Sequence, residues 1–179
     1  MRERLCAVVL ALVLFSSCDK IQWPTFNVEI PYSKDFASPV LDTVVALPEG
    51  GISYSTPAEM FVLDSRNKLA EHDLTDSQVS KVVLKSYIQT AREGNFDFVD
   101  TIRIFLSARD LPEIALASKN GIPKSTTELT FDCSDADLKD YFLKDTVYVR
   151  TESHFNALPN ASGYRSDLVF TIGTKVNKK

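Results

Sequence analysis

Apolar and polar residues alternate along many short segments of this chain, with the period of two that is typical of half-buried β-strands. The clearest case is Thr101–Ser107, where Ile102, Ile104 and Leu106 share one face. Turn signals rich in proline and glycine, such as Pro48–Gly51, separate the segments. The strands predicted in this way are Phe26–Ile30, Val40–Leu47, Ile52–Ser55, Met60–Leu63, Thr101–Ser107, Ile114–Ala117, Glu128–Cys133, Thr146–Phe155 and Asp167–Thr174.

Two segments are expected to interrupt the strands. Pro31 is expected to end the first strand, because proline has no N–H to donate to a sheet ladder. Ser65–Lys68 contains only polar residues and is predicted to be a loop.

The segment from Thr75 to Gly94 is compatible with two structures. Thr75–Gln78 matches a helix capping box, and valines at helical spacing could extend that helix as far as Gly94. However, the residues from Val82 to Thr90 are rich in strand formers and also alternate. We therefore predict one helical turn at Thr75–Gln78 followed by a long strand, in preference to a full helix.

A short helix is predicted over Asp135–Leu143. Ser134 to Asp137 form a second capping box, and acidic residues suit the positive end of a helix dipole. Leu138, Tyr141 and Phe142 follow at the spacing of one apolar stripe. We expect this stripe to close one open end of the folded domain.

Short strands, regular turns and one small helix together predict an all-β fold. The most suitable architecture is an antiparallel β-sandwich of immunoglobulin-like type with one short helix. Residues 26–179 are long enough to form this single domain around one hydrophobic core.

The N-terminal segment has the pattern of a secretory signal peptide. Arg2 and Arg4 precede an apolar run over Leu5–Phe15, which is shorter than the roughly 20 residues that span a bilayer. Two serines and Cys18 follow, and this ending resembles the bacterial lipobox. The resemblance implies cleavage after residue 17, acylation of Cys18 and a tether over residues 18–25. The alternative is an ordinary secreted protein in which Cys18 is incidental.

Charge and cysteine content restrict the function further. The chain has 20 basic and 24 acidic residues, a net charge of -4, without a Lys/Arg cluster, so a nucleic-acid partner is not expected. Of its three cysteines, Cys6 leaves with the signal peptide and Cys18 carries the lipid, which leaves no disulfide. Cys133 alternates in phase with Leu129 and Phe131 and is therefore predicted to be buried.

The two histidines are weak candidates for catalysis. Ser153 and His154 are neighbours on a predicted strand and therefore point to opposite faces, so they cannot form a dyad. His154 shares the polar face with Arg150 and Glu152 and is expected to be a solvated surface histidine. His72 lies in a polar loop without the Cys/His set that a zinc site needs.

Other functional motifs are also missing from the sequence. There is no Gly-x-Ser-x-Gly elbow, no Gly-rich phosphate loop and no EF-hand spacing among the acidic residues near Asp73 and Asp132. Phe96 and Phe98 are expected to be core residues at a sheet end. We therefore predict a protein that is not an enzyme and that has no metal site and no cofactor.

Three segments resemble the small β-sandwich lipoproteins of Bacteroidetes-type bacteria. These segments are Asn95–Ile102, Asp110–Ala115 and Asp137–Phe142. Such proteins are mostly of unassigned function, so the resemblance implies a fold and a location in the envelope, but no activity.

The leading hypothesis is a lipid-anchored lipoprotein of the bacterial cell envelope, in the outer membrane in preference to the inner one. It would act as a non-catalytic binding or structural module, held to the membrane through Cys18, with an unidentified small ligand or protein partner. One alternative is an accessory subunit of an outer-membrane uptake complex. Another is a hydrolase that uses His72 or His154.

Overall fold

A computed structural model describes residues 26–37 and 47–175 of the chain. The predicted signal peptide, Cys18, the tether and all but the last residue of the predicted strand Val40–Leu47 lie outside the described residues. These predictions, and the division of the chain into leader, tether and domain, therefore stay predictions.

Ten strands and two short helices make up the described part of the chain, and the strands form two antiparallel sheets. The four-stranded sheet has the order β1-β10-β4-β7, and the six-stranded sheet has the order β2-β9-β5-β6-β8, with β3 also paired to β9. This architecture confirms the predicted all-β sandwich. The strands are β1 (Phe26–Ala37), β2 (Ile52–Ser55), β3 (Glu59–Val62), β4 (Val79–Ala91), β5 (Val99–Ala108), β6 (Leu111–Asn120), β7 (Glu128–Thr130), β8 (Asp132–Cys133), β9 (Thr146–Phe155) and β10 (Gly163–Thr174).

The core is built from the alternate residues that each sheet turns inward. On β5, Ile102, Ile104 and Leu106 are buried, as predicted. Burying a side chain of this size contributes roughly 1.5–3 kcal/mol. Phe96 and Phe98 are also buried, as predicted, and the Phe98 and Phe155 rings stack with centroids 5.8 Å apart.

The expectation that Pro31 ends the first strand is wrong. β1 continues through Pro31, which is paired in register with Val169 of β10. In the described part of the chain β1 has β10 as its only strand neighbour. On such an edge strand, the missing N–H of proline can face away from the ladder, so that no sheet hydrogen bond is lost.

The segment after Thr75 has the structure that we favoured. A 3-10 helix over Asp76–Gln78 begins with a complete capping box, in which the Thr75 N–H donates to Gln78 Oε1 at 2.9 Å. The long strand β4 follows at once and pairs with β10 and with β7. As a strand, β4 pairs with β10 along its length and with β7 at Ile88–Thr90, and its inward residues Val82, Leu84 and Tyr87 are buried.

One short helix was predicted, but the described residues form two. Residues Ser65–Ala70, part of which was predicted to be a loop, form α1. Asp64 begins this helix at a φ of 49°, and Leu69 anchors it in the core. Since Leu69 is the only large apolar residue of the helix, the sequence has no periodic signal there.

The second helix, α2 (Lys139–Phe142), is shorter than the predicted Asp135–Leu143. The Asp137 carboxylate accepts hydrogen bonds from the backbone of Lys139 at 3.0 Å and from the backbone of Val82, on β4, at 3.1 Å. The Asp137 side chain therefore links the start of the helix to the four-stranded sheet. It does not form the predicted capping box with Ser134. The predicted apolar stripe of Leu138, Tyr141 and Phe142 is confirmed as buried. The helix packs against β4 and β9, one strand from each sheet.

The predicted strand Glu128–Cys133 is two strands in different sheets. β7 pairs with β4 in the four-stranded sheet, whereas β8 pairs with β6 in the six-stranded sheet. Phe131 lies between them, buried, and stacks on Tyr87 with centroids 4.9 Å apart. Because the chain changes sheet at Phe131, the alternation does not continue, and Cys133 is half-buried rather than buried.

Candidate binding groove

A groove of about 440 Å³ crosses the outer face of the six-stranded sheet, and we call it the polar groove. Its volume falls in the range of about 300–1,000 Å³ that is usual for small-molecule sites. It extends over β2, β9 and β5, which lie side by side. The polar groove is lined by Ser53, Tyr54, Ser55, Thr101, Arg103, Glu152, Ser153 and His154.

Strand register brings the outward-facing residues of the groove together. His154 is paired with Ser53 on one side and with Thr101 on the other. Glu152 lies two residues earlier on β9, so it shares the outer face with His154, as predicted. It is paired with Ser55 and Arg103 in the same way. The groove is therefore built from two adjacent rows of polar side chains on three rigid strands.

His154 is fixed by hydrogen bonds on both ring nitrogens. Its Nε2 lies 3.0 Å from the carbonyl oxygen of Gly50, and its Nδ1 lies 3.3 Å from Ser53 Oγ. Because a carbonyl can only accept, Nε2 carries the proton, and Nδ1 accepts from the Ser53 hydroxyl. The structure thus corrects the expectation of a simply solvated histidine: His154 is on the outer face, but it is partly buried and oriented.

The turn before β2 makes this contact possible. Gly51 has a φ of 80°, and a Cβ atom there would lie 2.3 Å from the Phe155 carbonyl oxygen. Glycine alone lets the turn approach β9 closely enough for the Gly50 carbonyl to reach the imidazole. Sequence analysis missed Ser53 because it lies 101 residues from His154, and only the strand register shows that the two are neighbours.

The Ser53–His154 pair has one part of a hydrolase arrangement, a hydroxyl beside a base that a third group orients. Here the third group is a backbone carbonyl, since Glu152 makes no hydrogen bond to the imidazole. Glu152 Oε1 instead accepts a hydrogen bond from Arg150 at 2.6 Å.

Arg150 is the centre of a charged network beside the groove. Its guanidinium donates to both oxygens of Glu113, at 2.9 and 2.6 Å, and this bidentate pair holds the pKa of Glu113 below its usual range. It also donates to Ser55 Oγ at 2.9 Å and lies 4.4 Å from the centroid of the Phe105 ring. The Arg150 side chain is only 23% exposed, so its position is fixed by contacts on several sides.

Arg103 differs from the other arginines of the described residues. Although Arg103 is paired in register with Glu152, no ion pair joins the two side chains. Its exposed guanidinium has no acidic partner in the described part of the chain. The five described arginines that do form ion pairs are Arg66, Arg92, Arg109, Arg150 and Arg165.

The other sequence candidates do not join this site. His72 is exposed after α1, and its backbone N–H donates to the Leu69 carbonyl. Asp76 pairs with Arg66 rather than with other carboxylates. Among the described residues there is no group of three or more histidine, cysteine or acidic side chains that could hold a metal ion.

Two small voids lie in the interior among the described residues. They lie between the sheets and have volumes of about 20 and 30 Å³, each with room for little more than one water molecule. Beside the second void, buried Gln89 donates to the hydroxyl of Tyr87 at 3.1 Å, and burial raises the pKa of Tyr87. The polar groove is therefore a better candidate for a ligand site than the interior.

Comparisons with known proteins add little to this description. No family model matches the chain, and no curated protein matches it. Among solved structures, the chain is similar to a chain from Desmodium yellow mottle tymovirus, with 9% sequence identity and a TM-score of 0.29 over 89% of this chain and 94% of that one. No helix in the described part of the chain is long and apolar enough to cross a membrane.

Proposed function

We propose that this protein is a lipid-anchored lipoprotein of the bacterial cell envelope whose β-sandwich is a non-catalytic binding module. The support for the anchor is the signal-peptide pattern before Cys18 and the resemblance to small β-sandwich lipoproteins of Bacteroidetes-type bacteria. Acylation at Cys18 supplies the membrane attachment, and more than one acyl chain is needed for stable anchoring. The outer membrane is the expected location.

The observation that carries the binding role is the polar groove. Its side chains are held on three neighbouring strands, and some are further oriented by hydrogen bonds, as those of His154 and Glu152 are. A site of this kind loses little side-chain entropy when a ligand binds, because its groups are already in place.

A hydrolase is the second candidate, and the Ser53–His154 contact is the observation that favours it. We favour the binding module because the carboxylate in the groove is engaged by Arg150 and does not support the imidazole. A fluorophosphonate probe separates the two. Labelling that is lost in Ser53→Ala and kept in Ser153→Ala would establish the hydrolase and end the non-catalytic proposal.

An accessory subunit of an uptake complex is a third candidate. It is favoured by an apolar patch on the outer face of the six-stranded sheet, beyond the groove. Met60 and Tyr148 are paired across β3 and β9, and Val62 lies next to them on the same face. All three side chains are exposed, at 58%, 38% and 59% respectively. Exposed apolar residues that are grouped in this way are typical of protein-binding surfaces.

Two experiments test the leading proposal. Cys18→Ala should move the protein from the membrane fraction to the soluble fraction, and a variant that still sediments with membranes in high salt would contradict the anchor.

The groove is tested by an affinity pull-down from envelope membranes. Ser53→Trp fills the groove and should abolish the capture of a binding partner. The matched control is Asn27→Trp, at an exposed position on the other sheet. Capture that survives both substitutions would exclude the groove as the binding site.

A further inference from the structure

Arg103 lines the polar groove and forms no ion pair with the described residues. The nearest carboxylate by register, Glu152, already accepts a hydrogen bond from Arg150, whose guanidinium is in turn fixed by Glu113. Within the described part of the chain, the Arg103 guanidinium makes no hydrogen bond, so its N–H groups can bind a ligand. A guanidinium in this state binds a planar carboxylate through two parallel hydrogen bonds.

The same groove offers groups that suit hydroxyls. Thr101 Oγ1 and Glu152 Oε2 make no hydrogen bond to the described part of the chain, so both can contact a ligand. Ser53 donates to His154, and its oxygen can still accept. These groups lie in the rows of β2, β9 and β5 that also hold Arg103.

The balance of charge limits the anion that can bind. Arg103 and Arg150 carry two positive charges near the groove, while Glu113 and Glu152 carry two negative ones. A ligand with a single negative charge can meet Arg103 without a large repulsion from the two carboxylates. A ligand with two or three negative charges would be repelled more strongly.

We infer that the polar groove binds a hydroxylated monocarboxylate, that is, a sugar acid. Its carboxylate lies on the guanidinium of Arg103, and its hydroxyls contact Thr101, Ser53 and the free oxygen of Glu152. This inference rests on the proposed function, since it names the ligand class of the same site.

Isothermal titration of the full mature protein with D-glucuronate tests the inference. D-glucose keeps the hydroxyls without the charge, and acetate keeps the charge without the hydroxyls. We expect saturable binding of glucuronate and binding at least about tenfold weaker for each of the other two, because a hydrogen bond to a charged group is worth about 1.5–3 kcal/mol. Equal binding of glucose, or no binding of glucuronate, would overturn the inference.

Substitutions locate the binding. Arg103→Gln should weaken glucuronate binding about ten- to a hundredfold. The matched control is Arg109→Gln, which removes the same charge at a highly exposed position outside the groove and should leave affinity unchanged. Since both arginines are exposed, both variants should fold, and thermal unfolding checks that they do. Equal affinities of the two variants would overturn the role of Arg103.

A further titration tests whether the ligand is a free sugar acid or a sugar acid within a polymer. Tighter binding of an oligosaccharide that carries one glucuronate among neutral sugars than of glucuronate itself would support an acid within a polymer, and equal binding would support a free sugar acid. The proposed function fails in a different way. If glucuronate does not bind while envelope capture persists and is lost in Ser53→Trp, the binding module stands and only the ligand class is wrong.

Discussion

The outer faces of the two sheets carry similar residues but organise them differently. On the four-stranded sheet, charges form separate pairs, such as Lys85 with Glu29 and Arg165 with Asp167, and each cation is more than half exposed. On the six-stranded sheet, Arg150 is 23% exposed and contacts two carboxylates, a hydroxyl and an aromatic ring. Exposed pairs contribute only about 0–1 kcal/mol, because holding two long side chains in one geometry costs side-chain entropy.

The difference shows that charge content alone does not mark a binding surface. On the four-stranded face, the ion pairs are separate and exposed, and Lys81 is an exposed cation that forms no ion pair with the described residues. The six-stranded face fixes Arg150 and His154 and leaves Arg103 without an ion-pair partner in the described residues, inside a concave surface. What distinguishes the six-stranded face is that its unpaired cation lies beside groups already held in place, which is the preorganisation that favours a ligand site.

The largest expected effect concerns the core that supports both faces. Phe142, on α2, is 1% exposed and lies against Phe170 with ring centroids 6.0 Å apart. Phe142→Ala should therefore lower the free energy of unfolding by about 3–5 kcal/mol, whereas Lys139→Ala should change it by less than about 0.5 kcal/mol. Urea unfolding measures both. Equal and small effects would mean that α2 is a loose surface segment and that the two sheets do not depend on it.

A smaller effect is expected from the charged network itself. Arg150→Gln removes the bidentate contact with Glu113 and the packing on Phe105, and it should cost about 1–2 kcal/mol after allowance for partial exposure. Arg165→Gln, on the other sheet, should cost less than about 0.5 kcal/mol. Chemical unfolding in low and high salt measures both. If the two variants lost the same stability, the contrast between the two faces would fail.

The pH dependence of stability sharpens the same comparison. The hydrogen bond from Arg150 lowers the pKa of Glu113, so the native state favours the charged carboxylate more than the unfolded state does. That stabilisation is complete above the ordinary glutamate value of about 4.3 and is lost as the pH falls through the depressed native value. Glu113→Gln should therefore make the loss of thermal stability below about pH 4.3 less steep. A variant with the wild-type acid profile would contradict a role for this pair.

The sequence predicts the strands well where the pattern is local. The alternation over Thr146–Phe155 matches β9 residue for residue, and it correctly separates Arg150 and His154 from the core-facing residues. The capping box at Thr75–Gln78 is also a local signal, and the structure confirms it. In each case neighbouring residues alone decide the backbone conformation and the face.

The features that the sequence could not predict depend on distant residues. In helix α1 the buried residues are Leu69 and Ser65, and the Ser65 hydroxyl donates to the Asp145 carboxylate, so the sequence has no periodic apolar pattern there. The change of sheet at Phe131 depends on which strands accept the two halves of one alternating segment. The contact of Ser53 with His154 depends on the register between β2 and β9, which no local pattern specifies.

The smallest expected effect is on the reactivity of Cys133, at the point where the chain passes from one sheet to the other. Burial raises the pKa of the Cys133 thiol, so the neutral form is favoured and the reactive thiolate is scarce at neutral pH. Because the residue is half-buried, a small alkylating reagent should still label it slowly in the native state. The labelling rate should rise only at a pH above the ordinary thiol pKa of about 8.5, and its pH dependence should follow a titration curve for one group. Labelling at pH 7 as fast as that of the urea-unfolded chain would mean that the strand β8 does not shield the thiol, and that the segment after Phe131 does not join the six-stranded sheet.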